Sequence, residues 1–236
     1  MTRQSPRKSV YMSNVSFATT TIAVWSTITA TPGTGAPLMW LAAVLPPKSF
    51  TIFDWIEERE FIWAETGALK PGVIVVAAER ELSAKHPNGV KLISHRKGYA
   101  FESRSAGPGE TIQVSSSVPQ DRLTVGLNLK ITGGIGRPGS GASVRQALPN
   151  VSYSWSGEPT YAAGFGALAQ SEYDPSALSG QTPLSLDFSK SQEIGVLLDA
   201  NNSLEQLSEG DLTRIRSLNL TYVERPLCEA KIRKEA

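Results

Sequence analysis

The segment Tyr153-Ser-Trp155-Ser-Gly-Glu158-Pro-Thr-Tyr161 sets three aromatic rings and a carboxylate close together in the chain. Such rings lie flat against the apolar faces of sugars, and a few polar groups beside them fix the ligand's orientation. Tyr153, Trp155, Glu158 and Tyr161 are therefore expected to form a lectin-like, carbohydrate-binding surface at a strand end and the loop after it. The plainer alternative is that Tyr153 and Trp155 plug the interior from above. Trp25, Trp40, Trp55 and Trp63 sit in apolar runs and are read as core.

A second group is basic. Arg80, Lys85, Lys91, Arg96 and Lys97, with His86 and His95 among them and Arg104 close by, outnumber the neighbouring Glu81 and Glu102. Converging cations would hold an anion, a lipid headgroup or a nucleic-acid backbone. Spread over a hairpin, the same residues would only solvate a sheet face.

Other motifs fail on their chemistry. Gly134-Ile-Gly136-Arg-Pro-Gly139 has the spacing of a dinucleotide loop, but that site needs a helix starting there to hold the pyrophosphate. Pro149 stops any helix after two turns at most, so a glycine-rich loop over 133–141 is the better reading. Asp199-Ala-Asn201-Asn-Ser203 alternates oxygen ligands as a calcium loop does. Leu204 stands where an EF-hand needs glycine, and Gly210 where it needs the bidentate glutamate. An Asx turn remains. His86 and His95 with the remote Cys228 do not make the three protein ligands of a catalytic zinc. No G-x-S-x-G nucleophile elbow occurs, and nothing in the sequence places a nucleophile near either histidine. Glu57, Glu58 and Glu60 are adjacent acids of the kind that usually form a solvated face. No cofactor, metal site or catalytic residue is implied, and the reading leans away from an enzyme.

The elements that must position these residues are strands. Arg122–Thr132 alternates Leu123, Val125, Leu127, Leu129 and Ile131 against Thr124, Gly126, Asn128 and Lys130, the period of a half-buried strand. Leu38–Leu45 is apolar throughout and suits a strand covered on both faces. Tyr11–Thr31 shifts phase midway, as a bulged strand or two strands would. Turns at Lys70-Pro-Gly72, Pro87-Asn-Gly89, Gly98 and Gly107-Pro-Gly109 open strands over 73–78, 90–95, 99–104 and 110–116. Strands so short and so regularly punctuated indicate a sandwich or barrel. Residues 50–65 read as strand, a short helical turn over 55–60, and strand. Trp155–Pro183 reads as an extended loop region, 184–188 and 193–199 as strands, 203–207 as a helical turn, and 214–223 as the last long strand. The predicted fold is all-β, a β-sandwich or jelly-roll-like body of roughly ten to twelve strands with one or two short helices. The body spans 11–228, between a flexible basic arm at 1–10 and a frayed tail at 229–236.

Composition bounds the function. In 236 residues, 19% are charged and the net charge is +1, so no strong overall field draws nucleic acid or an acidic membrane. One cysteine excludes an internal disulfide. The eight apolar residues at 38–45 are too few to span a bilayer, for which about 20 are needed. No signal-peptide pattern follows the start, so a cytoplasmic location, or release without a signal, is expected. The leading functional expectation is a non-catalytic binding module with a glycan or other surface ligand as partner. One alternative is a self-assembling structural protein such as a small viral coat, a homo-oligomer whose arm meets nucleic acid and whose place is the virion. The other is a membrane-active, pore-forming β protein built on hairpin 111–130.

Overall fold

The computed structural model describes residues 7–33, 36–70, 73, 75–96, 98–103, 110–129, 141–166, 172–173, 182–207, 212–213, 215 and 220–223. The chain is all-β. Its strands are β1 (Arg7–Asn14), β2 (Thr20–Thr31), β3 (Ala36–Leu45), β4 (Ser49–Ile56), β5 (Arg59–Glu65), β6 (Glu79–Leu82), β7 (Val90–His95), β8 (Gly98–Ser103) and β9 (Thr111–Val114). They continue as β10 (Leu123–Leu129), β11 (Gly141–Gln146), β12 (Ser152–Phe165), β13 (Glu172–Tyr173), β14 (Leu184–Leu186), β15 (Glu193–Leu198), β16 (Leu204–Leu207) and β17 (Thr221–Tyr222). A 3₁₀ turn, Ser83–Lys85, joins β6 to β7.

Two sheets form. The smaller has the order β16-β15-β1-β4-β17, and the larger runs β6-β5-β10-β11-β3-β2-β12-β9-β7-β8, with β13 and β14 attached to β3 and β12. Side-chain alternation gives each sheet an inner face. In β4, Ser49, Thr51, Phe53 and Trp55 are buried while the residues between them are only partly covered. Inner residues of both sheets, from Val10, Met12, Phe53 and Val196 to Ile22, Leu41, Ile112 and Leu127, share one apolar core.

The strand pattern departs from expectation where tertiary contacts outweigh local signals. The helical spacing of Trp55, Arg59 and Ile62 belongs to no helix. Residues 57–58 cross from the smaller sheet to the larger, because β4 pairs with β1 and β5 pairs with β10. Residues 203–207 are not a helical turn either. Asp199 Oδ1 accepts the N–H groups of Asn201 and Ser203 at 2.9 and 2.8 Å, and this Asx turn feeds the hairpin β15–β16. Of the long strand expected over 214–223, the described residues show Ile215 helical, together with Leu212 and Thr213, and Thr221–Tyr222 extended, while residues 214 and 216–219 lie outside the described residues. Leu212 and Ile215 are buried, close to where a side chain at Gly195 would stand. The loop region expected over 155–183 begins instead as the long strand β12, which runs to Phe165, and residues 167–171 and 174–181 lie outside the described residues. The basic arm expected over 1–10 yields Arg7–Val10 to β1, where Val10 is buried.

Strand β10 is buried at every position, although its sequence alternates. Leu123, Val125, Leu127 and Leu129 face the main core. On the other face, Ile62, Ala64, Val75 and Val144 make a second apolar cluster, with Leu69 and Ala77 packed against it. The segment expected as a strand over 73–78 supplies this cover: Val75 packs into the cluster, and Ala78 N–H donates to Trp63 O at 2.8 Å before β6 begins.

Candidate functional site

The larger sheet curls until its two end strands meet, and side chains join them. Glu79 of β6 accepts Phe101 N–H of β8 at 3.1 Å and Trp63 Nε1–H of β5 at 2.6 Å. An edge strand's free N–H is thereby satisfied by a carboxylate and does not stay open for another chain. Behind it, Trp63 meets Tyr99 edge-on at 5.8 Å between centroids, and Phe61 meets Phe101 at 6.5 Å. Alternation puts Glu79 with Glu81, and Tyr99 with Phe101 and Ser103, on the seam side of their strands.

Above these rings lies a polar layer. His86 Nδ1 is 2.9 Å from Ser103 Oγ, and its Nε2 is 3.3 Å from Glu81 Oε2. The imidazole also packs against Phe61, 6.4 Å between centroids. Local structure aims this ring: His86 N–H donates to Ser83 O at 2.9 Å, and Gly89 N–H donates back to His86 O at 2.8 Å. Gly89 has φ +81°, and a Cβ there would fall on the Thr111 carbonyl oxygen. Only glycine closes this turn without strain. Beside His86, Glu110 accepts Arg59 at 2.5 Å and Ser83 Oγ at 3.1 Å, while Arg59 also donates to Gly157 O at 2.6 Å.

The aromatic segment lies elsewhere than expected. Tyr153, Trp155 and Tyr161 are only 4%, 3% and 4% exposed, so the expectation of rings standing free in a loop is corrected. They face inward along β12, and their polar tips are satisfied inside. Tyr153 Oη donates to Gln146 O at 2.7 Å, Trp155 Nε1–H to Ser143 O at 3.1 Å, and Tyr161 Oη to Glu57 Oε1 at 2.5 Å. Glu158 alone is exposed. It sits where the β12–β2 register slips between Ser156 and Thr160, next to the Gly157 carbonyl that holds Arg59.

Tyr161 belongs to a closed box. Trp55, Tyr161 and Phe188 pack within 5.2–5.5 Å of one another. Lys8 Nζ lies 5.1 Å from the Tyr161 centroid and 5.0 Å from that of Phe188, and 2.7 Å from Glu57. Burial, then the bond to Glu57, push the Tyr161 hydroxyl pKa well up.

The described residues of the expected basic group stand on separate elements. Arg80 is partly buried, 3.8 Å from Glu60; burial lowers its pKa while Glu60 opposes the shift, and it stays charged. Lys85 is exposed at the 3₁₀ turn, Lys91 stands opposite Glu102 in the β7–β8 pairing, and Arg96 is exposed after β7. Lys97 and most of the glycine-rich loop over 133–141 lie outside the described residues, as do Cys228 and the tail expected over 229–236. Trp25, Trp55 and Trp63 are core residues.

Sequence reasoning missed Glu81, Ser83, Ser103, Glu110 and Arg59. The run Glu79-Arg-Glu81-Leu-Ser83-Ala-Lys-His86 holds three of the polar groups of this layer, but their partners come from β5, β8 and residue 110. Among the described residues no three His, Cys, Asp or Glu side chains are grouped to hold a metal ion. No described helix is long and apolar enough to cross a membrane.

Searches of curated proteins and of solved structures give no match. A family model described as RhiA matches residues 5–206, and the chain belongs to the RhiA family.

Proposed function

We propose that the chain is a binding module for a hydroxyl-rich ligand, a glycan being the favoured class, and that the ligand sits at the side-chain seam and not on the rings of β12. The observation that supports this most is the polar layer of Arg59, Glu81, Ser83, His86, Ser103 and Glu110, whose imidazole packs against Phe61. Hydroxyl ligands need fixed acceptors and donors of mixed kind. Here Arg59 is held between Glu110 and the Gly157 carbonyl, and Glu81 is 37% exposed. Held side chains lose little freedom on binding, which favours affinity. Glu158 stands beside this layer.

The coat-protein alternative drew on the basic arm. Two of its cations are ion-paired within the chain, Arg7 to Asp54 and Lys8 to Glu57, both at 2.7 Å, and paired cations neutralise fewer phosphates.

A glycan array tests the binding reading. We expect retained glycans whose affinity falls about tenfold or more in Glu81→Gln and Glu110→Gln, since each carboxylate is worth about 1.5–3 kcal/mol as a charged hydrogen-bond partner. An array with no retained glycan would contradict it. So would retention that both variants leave intact.

A further inference from the structure

We propose that Ser103 is an activated nucleophile, with His86 as its general base and Glu81 as the positioning residue that orients His86. The three groups are contributed by separate elements, the end of β8, the turn after the 3₁₀ segment, and β6. Ser103 Oγ is 2.9 Å from one imidazole nitrogen, and the Glu81 carboxylate is 3.3 Å from the other.

A carboxylate only accepts, so it holds the imidazole proton on Nε2 and leaves the Nδ1 lone pair to the Ser103 hydroxyl. The two ring nitrogens are interchanged relative to the familiar serine triad, with the same division of roles. Phe61 backs the ring, and Ser103 is exposed to an incoming molecule. Nothing else in the described interior has this arrangement: the Lys8–Glu57–Tyr161 group is enclosed by rings, and in Arg59–Glu110–Ser83 the hydroxyl meets a carboxylate already paired to Arg59 and no imidazole.

The chemistry this supports is acyl transfer from a carboxylic ester. Ser103 Oγ forms a bond to the carbonyl carbon and passes its proton to His86 Nδ1. The bond from that carbon to the alcohol oxygen breaks, and the alcohol leaves with the proton from His86. Water then attacks the acyl-serine, giving its proton to His86. The free acid departs and Ser103 regains its proton.

The inference shares the seam and its side chains with the binding reading, but its test stands apart because it requires no glycan. The folded wild-type chain is treated with an alkyl fluorophosphonate, in which the serine oxygen bonds phosphorus and fluoride leaves. Intact-mass and peptide mass spectrometry follow the adduct. We expect a single adduct on Ser103, absent in Ser103→Ala and slowed roughly 10²–10⁴-fold in His86→Gln, the usual weight of a general base. Glu81→Gln should slow labelling about tenfold and displace its pH profile, which a purely structural role would not do. Circular dichroism on each variant separates lost chemistry from lost fold. An unlabelled Ser103 in the folded chain overturns the proposal, and so does labelling that His86→Gln leaves unchanged. Labelling with an empty glycan array would retain the nucleophile and remove only the glycan reading.

Discussion

Two parts of this molecule hold nearly the same chemical groups and differ in what surrounds them. The box around Lys8 combines a cation, the Glu57 carboxylate, the Tyr161 hydroxyl and the rings of Trp55 and Phe188. The seam around His86 combines a base, the Glu81 carboxylate, the Ser103 hydroxyl and the rings of Phe61 and Phe101. In the box Trp55 is fully buried, and Lys8 and Glu57 retain 12% and 16% exposure. At the seam Ser103 is exposed and Glu81 is partly so. The same residue types are enclosed in one place and left at an opening in the other. Aromatic content alone does not tell the two apart.

The comparison can be broken most severely at the box. Trp55→Ala removes the largest fully buried side chain among the described residues and is expected to cost about 3–5 kcal/mol, read from the shift in the urea midpoint at constant slope. If it cost no more than a surface change, the box would not be core. Lys8→Met comes next. It strands the Glu57 carboxylate, and because the pair is not wholly desolvated the loss should be about 2 kcal/mol. Adding Glu57→Gln should recover at least half of that loss, since the amide oxygen still accepts from Tyr161. A double variant no better than the single would show that the pair carries no coupling.

The alkaline limb gives a smaller effect. The Tyr161 pKa is raised in the folded chain, so the folded state holds its proton more tightly than the unfolded one. Stability from this group is complete below about pH 10, where a free phenol ionises, and declines as pH rises above that. The expected loss is on the order of 1 kcal/mol by pH 11. In Tyr161→Phe the slope of stability against pH above 10 should flatten; an unchanged slope would mean another group governs it. The smallest effect belongs to the seam. Glu81→Gln should alter stability by no more than about 0.5 kcal/mol, as exposed partners do, while still slowing Ser103 labelling. A large loss of stability there would make the seam structural, like the box.

What the sequence disclosed follows the range of the forces involved. The strand at 123–129 and the punctuation at Pro87-Asn-Gly89 are local and emerge as expected, because the extended period and the left-handed glycine are decided within a few residues; the burial of the second face of β10 is not local, since it depends on Val75 and Val144 from other segments. The helical spacing at 55–62 was misleading because a two-residue crossing between sheets brings side chains back into phase by accident. Tyr153, Trp155 and Tyr161 were legible as a cluster, yet their burial depends on Ser143, Gln146 and Glu57, which come from other elements. The seam was the least legible. Glu81 and His86 are five residues apart, but Ser103 reaches them only because the sheet curls until β8 meets β6. No pattern along the chain encodes that meeting.

The most direct measurement is a long-range ¹H–¹⁵N spectrum of His86 at a pH where its imidazole is neutral, with His95→Gln removing the other imidazole signal. The arrangement around Glu81 and Ser103 predicts one dominant tautomer, protonated at Nε2, that shifts toward a mixture in Glu81→Gln. A wild-type imidazole that exchanges freely between both tautomers, as in solution, would contradict an ordered seam.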